Sequence, residues 1–260
     1  THIIMNHTHW GHESSWYKDV PKSRQSNHQL IIFPKLIQII NSLFKREDLS
    51  KLKAIDLACG TGDFTNEITN IVEESIGIDL GEELIETAKK DYPNTFYVED
   101  CENYSENFKA KYKQQFDLAF SILAIQNIRD FNKVLNELNS ILKPGGKFIF
   151  VLNHPAFRIP QNSSWGFNGN TSQYRIIDKY MTSKEIPIVM HPGSKDSTTT
   201  YSFHRPLEYY FHCLKFAGYK ISDVHEWISP KKSEKGPREK AENIARKEIP
   251  LFLTIIAEKA

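Results

Sequence analysis

The chain is organised around residues 53–63. A short apolar run, Ala54-Ile55-Asp56-Leu57, leads into Ala58-Cys59-Gly60-Thr61-Gly62-Asp63. A helical pattern follows, with Phe64, Ile68, Ile71 and Val72 spaced to share one face. Strand, Gly-rich turn and helix open a nucleotide-binding α/β unit. Gly60 and Gly62 carry no Cβ, so a ligand can approach the backbone closely. The first amides of the helix can receive an anion. A dinucleotide oxidoreductase would want G-x-G-x-x-G. No Gly stands at Asp63, Phe64 or Thr65, so that reading is disfavoured although it would share an acid at Asp79.

Acids recur at the ends of the next strands. Residues 75–80 read as strand two and end at Asp79-Leu80. A carboxylate there can accept both hydroxyls of a ribose. Its bland alternative is a cap for the helix over 81–90, since Asp is a favoured cap. That helix has Glu82 and Glu83 in its first turn and Lys89 and Lys90 in its last, which suits its dipole. Strand three, over 95–99, ends at Asp100-Cys101, where a second acid can accept an adenine amino group. Residues 102–115 are polar and read as a helix or loop. Strand four runs over 116–123 and contains Ser121. A helix from Phe131 carries Val134, Leu135, Leu138, Ile141 and Leu142 inward and stops at Lys143-Pro144-Gly145-Gly146. Strand five, 147–152, is apolar after Lys147, as a strand covered on both faces should be.

The forms D-x-A-C-G-T-G at 56–62 and L-K-P-G-G at 142–146 resemble the class I, seven-strand methyltransferases that use S-adenosylmethionine. The motifs cover roughly residues 50–152. The resemblance implies an α/β fold with a doubly wound, mostly parallel seven-strand sheet, an N-terminal cap and an inserted lid after strand five. It implies S-adenosylmethionine as cofactor, with Asp56 orienting the methionine amino group and the end of strand four beside the reactive methyl. Ala58 stands where the family usually has Gly. The cofactor would be held by Asp56, Ala58, Cys59, Gly60, Gly62, Asp79, Leu80, Asp100, Cys101 and Ser121. An N-terminal segment often folds over the cofactor in this family, and Trp16-Tyr17 is the pair that would pack there. The N-P-P-Y form of the branch that methylates exocyclic base amines is missing after strand four.

One domain over 1–260 is expected: a cap at 1–45, a cofactor-binding core at 50–152, a lid or substrate insertion at 153–205, and a C-terminal helix with antiparallel strands at 206–260. The insertion is rich in aromatics and Arg, which argues against disorder. Residues 1–29, with several His, read as a flexible arm rather than a metal site, because no carboxylate or Cys completes a ligand set; Trp10, Trp16 and Tyr17 favour burial of part of it. Pro34 opens a helix. Residues 230–248, mixed Lys, Arg and Glu, read as a mobile solvated loop rather than a phosphate site. His154, two residues past strand five, is the candidate general base or acceptor-binding residue; its unperturbed pKa of ~6.5 suits proton transfer near neutrality. A structural role for it is equally open. Arg158, His204 and Arg205 could hold an anionic group of the acceptor. The residues after strands four and five do not supply a metal set.

Charge and cysteine content narrow the function classes. The net charge is +1, so no global field favours nucleic acid or membrane. No apolar run reaches the ~18 residues of a membrane span. The Cys count is 3, with wide spacing, which suits neither a disulfide framework nor a metal site and favours a reduced, cytoplasmic setting. The sequence thus points to a methyltransferase acting on a small molecule. RNA or protein methylation, or a non-catalytic cofactor-binding scaffold, are the alternatives. The acceptor is not named by any motif.

Overall fold

The computed structural model describes residues 26–189 and 199–260. Trp16 and Tyr17 therefore lie outside the described residues. Residues 26–29 are not a flexible arm: His28–Ile32 form a single π-helical turn that runs straight into α1, Phe33–Leu43, with Pro34 in its first turn as expected. A short α2, Arg46–Leu49, leads to the sheet.

The core elements follow in alternation: β1 (Lys53–Leu57), α3 (Asp63–Ile68), β2 (Glu74–Asp79), α4 (Glu82–Asp91), β3 (Thr95–Val98), α5 (Glu106–Tyr112), β4 (Phe116–Ile122), α6 (Phe131–Ile141) and β5 (Leu142–Asn153). The remainder is β6 (Ser163–Asn168), β7 (Ser172–Ile177), β8 (Lys184–Val189), β9 (Thr199–His204), α7 (Leu207–Phe216), β10 (Tyr219–Trp227), α8 (Glu239–Glu248) and β11 (Phe252–Lys259). The 7-stranded sheet has the order β10-β11-β5-β4-β1-β2-β3. Its β1 to β5 part is parallel, while β11 pairs antiparallel with both β5 and β10. The chain steps outward from β1 in both directions, so the sheet reverses between β1 and β4, where open α/β sheets bind ligands.

Alternation along the central strands fills two apolar layers. Ile55, Leu57, Phe148 and Phe150 face one side with residues of α6 and α7. Ala54, Leu118, Phe120, Ile149 and Val151 face the other with residues of α1 and α3. This is the two-sided burial that an apolar parallel strand requires. The Lys143-Pro144-Gly145-Gly146 stop ends α6 at Ile141. Its extra residues are taken up by a register shift between Phe116↔Leu142 and Leu118↔Lys147, with Gly145 at φ 74.

Two expectations need correction. The helix after the Gly-rich loop is short: it ends at Ile68, and Ile71 and Val72 sit on the turn beyond, Val72 still buried. Residues 230–248 are not a loop throughout, because α8 occupies 239–248. Its Ala241 and Ala245 are buried against the molecule at i, i+4, and it packs beside β7. Glu239 and Glu242 in its first turn and Arg246 and Lys247 in its last complement the dipole, which a charged loop would not need. The segment after β5 carries two hairpins, β6–β7 and β8–β9. Among the described residues no helix is long and apolar enough to cross a membrane.

Candidate active site

The ends of β1 and β2 carry the two acids at the centre of the site. Asp56 is buried, and its Oδ2 accepts from Thr65 Oγ1 at 2.8 Å. Thr65 lies on α3, so the helix that follows the loop reaches back to fix the acid before it. Asp79 is also buried. Its Oδ2 accepts from Gly60 N at 2.9 Å and its Oδ1 from Gly81 N at 2.8 Å. Asp79 thus ties the Gly-rich loop to the start of α4. Gly81, not Asp79, stands at the N-cap of that helix.

The loop conformation explains its small residues. Gly60 (φ 57) and Gly62 (φ 77) lie in the left-handed region that favours glycine. Ala58 shares that conformation at φ 54, at an expense of ~1–2 kcal/mol relative to glycine. That is a physical reason for Gly to be usual at this position in the resembling family. Leu123, at the end of β4, is also left-handed at φ 52. Strained backbone therefore sits at two strand ends on one edge of the sheet, as functional sites often show.

These elements surround an open cleft. Asp56 and Asp63 supply its acids, Ala58, Cys59 and Thr61 its loop wall, and Phe33, Phe64 and Ile122 its apolar wall, with His28 at the rim. Sequence reasoning missed His28, Phe33, Thr61, Asp63 and Ile122. Asp63 could have been noticed as an acid in the first turn of α3. Its carboxylate accepts from Thr61 Oγ1 and from Tyr92 OH. Burial lowers the His28 pKa, partly offset by Asp63.

The electrostatics are one-sided. Burial pushes the Asp56 carboxyl up to about 7, against the hydrogen bond from Thr65, and the charges acting on it are Asp79 and Asp63, both acids. Burial also raises Asp79, against its backbone hydrogen bonds. Cys59 and Cys101 are pushed well up by burial, with the neighbouring acids adding to the effect, so neither is a thiolate nucleophile. Three carboxylates without a cationic partner in reach among the described residues suit a ligand bearing positive charge and hydroxyl donors. Ser121 Oγ is buried with no hydrogen-bond partner among the described residues and would gain from one. Asp100 lies just past β3, where its Oδ1 accepts from Glu102 N.

The residues expected on the acceptor side separate from this cleft. His154 is 2% exposed. Its Nδ1 accepts from Ala156 N, which leaves the proton on Nε2 to donate to Glu226 Oε1 at 2.7 Å. Burial lowers its pKa despite Glu226. With its basic nitrogen already occupied, His154 joins the end of β5 to β10 and does not line the cleft. His154→Ala is therefore expected to lower stability by about 1–3 kcal/mol, for two lost hydrogen bonds at ~0.5–1.5 kcal/mol each, with S-adenosylhomocysteine affinity unchanged. Urea denaturation and calorimetry would measure the two. A drop of ~10²-fold or more in turnover at unchanged stability would restore the general-base role. His204 and Arg205 also make structural contacts, although Arg205 Nη1 is buried without a hydrogen-bond partner among the described residues. His204 Nε2 contacts Tyr180 O at 2.7 Å. Arg205 Nη2 donates to Ile128 O and Arg129 O, and its guanidinium stacks on Phe203 and Tyr209. Together with the Arg129–Glu185 pair, it pins hairpin β8–β9 to the loop after β4. Arg158 is different and is taken up below.

Comparison with known proteins gives this geometry a family. A methyltransferase-domain family model matches residues 48–180. A malonyl-[acyl-carrier protein] O-methyltransferase of Buchnera aphidicola is 26% identical over 206 residues, 73% of this chain and 75% of that protein. A demethylmenaquinone methyltransferase of Lactococcus lactis is 33% identical over 118 residues, 43% of this chain and 46% of that protein, so the chain spans less than half its length. The solved structure of an S-adenosylmethionine-dependent methyltransferase from Mesorhizobium loti has a TM-score of 0.63 and 24% identity, over 85% of this chain and 96% of that one. With its sheet order, its Gly-rich loop after β1 and the matching family model, the chain belongs to the methyltransferase-domain family of class I, S-adenosylmethionine-dependent enzymes.

Proposed function

We propose that the chain methylates a small-molecule acceptor, with the cofactor held in the acid-lined cleft at the ends of β1, β2 and β4. The carrying observation is the grouping of Asp56, Asp63 and Asp79 without a cationic partner in reach among the described residues. The bound cofactor supplies a methyl group on a positively charged sulfur, already electrophilic enough to need no further activation. Asp56 would take the cationic amino group of the methionine part. Asp79 would accept the ribose hydroxyls through lone pairs left over from Gly60 and Gly81. Asp100 and Cys101 would flank the adenine, and Ser121 would meet the cofactor from β4. Phe33, Phe64 and Ile122 exclude water from one wall, which strengthens each of these interactions. What remains for the protein is to bring the acceptor into line.

By their names, the relatives above act on malonyl-[acyl-carrier protein] and on demethylmenaquinone. They support a small acceptor rather than a nucleic acid, as does the near-neutral charge. A radiolabelled methyl donor offered with panels of small acids, phenols, amines, RNA and protein tests the reading. Label in a small-molecule fraction is the expected result. Label confined to RNA or protein would overturn it.

A further inference from the structure

Arg158, just past the end of β5, has a guanidinium with no hydrogen-bond acceptor among the described residues, and it is only partly exposed. The charges acting on it are Arg175 and Arg246, both cations. The three come from separate elements: the turn after β5, strand β7 and helix α8. Each of the other two is held in place by neutral oxygens. Arg175 Nε donates to Phe157 O at 2.7 Å and its Nη2 to Ser163 Oγ at 2.8 Å, with its face stacked on Trp165. Arg246 Nε donates to Ser233 Oγ at 3.2 Å. No carboxylate pairs with any of them among the described residues, although acids such as Glu239 and Glu242 stand on the same helix as Arg246.

Partly buried like charges repel one another and lose hydration, so such a group persists where something anionic completes it. Arginine is the residue suited to this, because its fork matches carboxylate and phosphate oxygens in pairs. Two of the forks are aimed by fixed hydrogen bonds before any ligand arrives, which reduces the ordering needed on binding. The position is on the ligand-binding edge of the sheet, past the strand that neighbours β4.

We propose that Arg158, Arg175 and Arg246 form a receptor for an anionic group, a carboxylate or a phosphate, carried by the methyl acceptor. The proposal rests on the small-molecule reading above and gives that molecule an acidic end. It places an anion site apart from His204 and Arg205, at residues that a linear reading of 230–248 as loop would not assemble. The acceptor would lie with its acidic end against α8 and its nucleophile towards the cleft.

The test uses the full chain at low ionic strength, with inorganic phosphate and succinate as separate probes and chloride as the control. Calorimetry is expected to show saturable binding of at least one probe. The stronger of the two identifies the group as phosphate or carboxylate. Arg158→Gln and Arg246→Gln are each expected to weaken that probe about tenfold or more, and S-adenosylhomocysteine affinity should stay at the wild-type value. The same variants should raise the melting temperature of the ligand-free protein by relieving repulsion, so that lost binding cannot be ascribed to misfolding. Absence of saturable binding to the wild type, or wild-type affinity in the double variant, would overturn the site. If phosphate or succinate binds as described while labelled methyl appears only in RNA or protein, the anion site stands and the small-molecule reading falls.

Discussion

Asp79→Ala is expected to weaken S-adenosylhomocysteine binding by about a hundredfold or more. Two hydroxyl donors to one carboxylate contribute ~1.5–3 kcal/mol each, and ~1.4 kcal/mol is a decade in affinity. The loss should exceed that of the ligand contacts alone. Asp79 also accepts from Gly60 N and Gly81 N, so the variant leaves two backbone amides at the loop without their acceptor. Asp79→Asn is not a mild substitute, since its amide nitrogen would face one of those donors. Calorimetry against S-adenosylhomocysteine, with thermal melts of the free variants, separates the two contributions. An unchanged dissociation constant in Asp79→Ala would confine the residue to holding the loop.

Below pH 7, affinity for S-adenosylhomocysteine should rise about tenfold per pH unit, then flatten. Asp56 is the cause. Its carboxyl titrates at about 7 in the free protein instead of 3.8, chiefly because it is buried. A cationic amino group is received by the ionised form, so binding below pH 7 must expel a proton. The groups around it are Thr65 from α3, Asp63 at the start of that helix, Asp79 from β2 and Cys59 from the loop. The same shift acts on stability with a definite sign. The folded carboxyl pKa lies above the unfolded one, so between roughly pH 4 and 7 the folded state holds a proton that the unfolded chain has lost. Stability therefore falls as pH rises through that window, by about 4 kcal/mol at ~1.4 kcal/mol per unit. Asp56→Asn should remove the Asp56 share of both dependences, leaving that of Asp79, which burial also raises. Titrations at pH 5, 6 and 7 in buffers of different ionisation heat count the released proton. A dissociation constant independent of pH in the wild type would remove Asp56 from the amino-group site.

The residues that could be read from sequence are those whose meaning is local. Strands β1 to β5 announce themselves by apolar runs, and Asp56, Asp79 and Asp100 by standing where such runs end. Gly60 and Gly62 could be read because their backbone angles need glycine. What sequence concealed depends on distant partners. His154 looked like a base because Glu226, which accepts its Nε2 hydrogen bond, is supplied by β10. Arg205 looked like an anion receptor because the carbonyls of Ile128 and Arg129 become its partners only when hairpin β8–β9 docks on the loop after β4. Helix α8 escaped notice because its buried face is two alanines, Ala241 and Ala245, in a charged segment. Small side chains make little apolar stripe, and the face exists only by packing beside β7. The His28 turn was hidden by a polar neighbourhood that gives no helical period.

The placing of β11 also bears on the order in which the molecule can be made. Strand β5 ends at Asn153, and the strand that covers its open side, β11, begins at Phe252. Until that late segment arrives, β5 presents an unpaired edge with Phe148, Ile149, Phe150 and Val151 along it, a template for pairing with another chain. The two hairpins, α7, β10 and α8 must all be threaded past before the gap is closed, and closing so long a loop is slow. A nascent chain emerging from the ribosome therefore passes through an interval in which half of its central sheet is unsheathed. Chaperone dependence during synthesis, and aggregation of chains truncated before Phe252, follow from that one pairing.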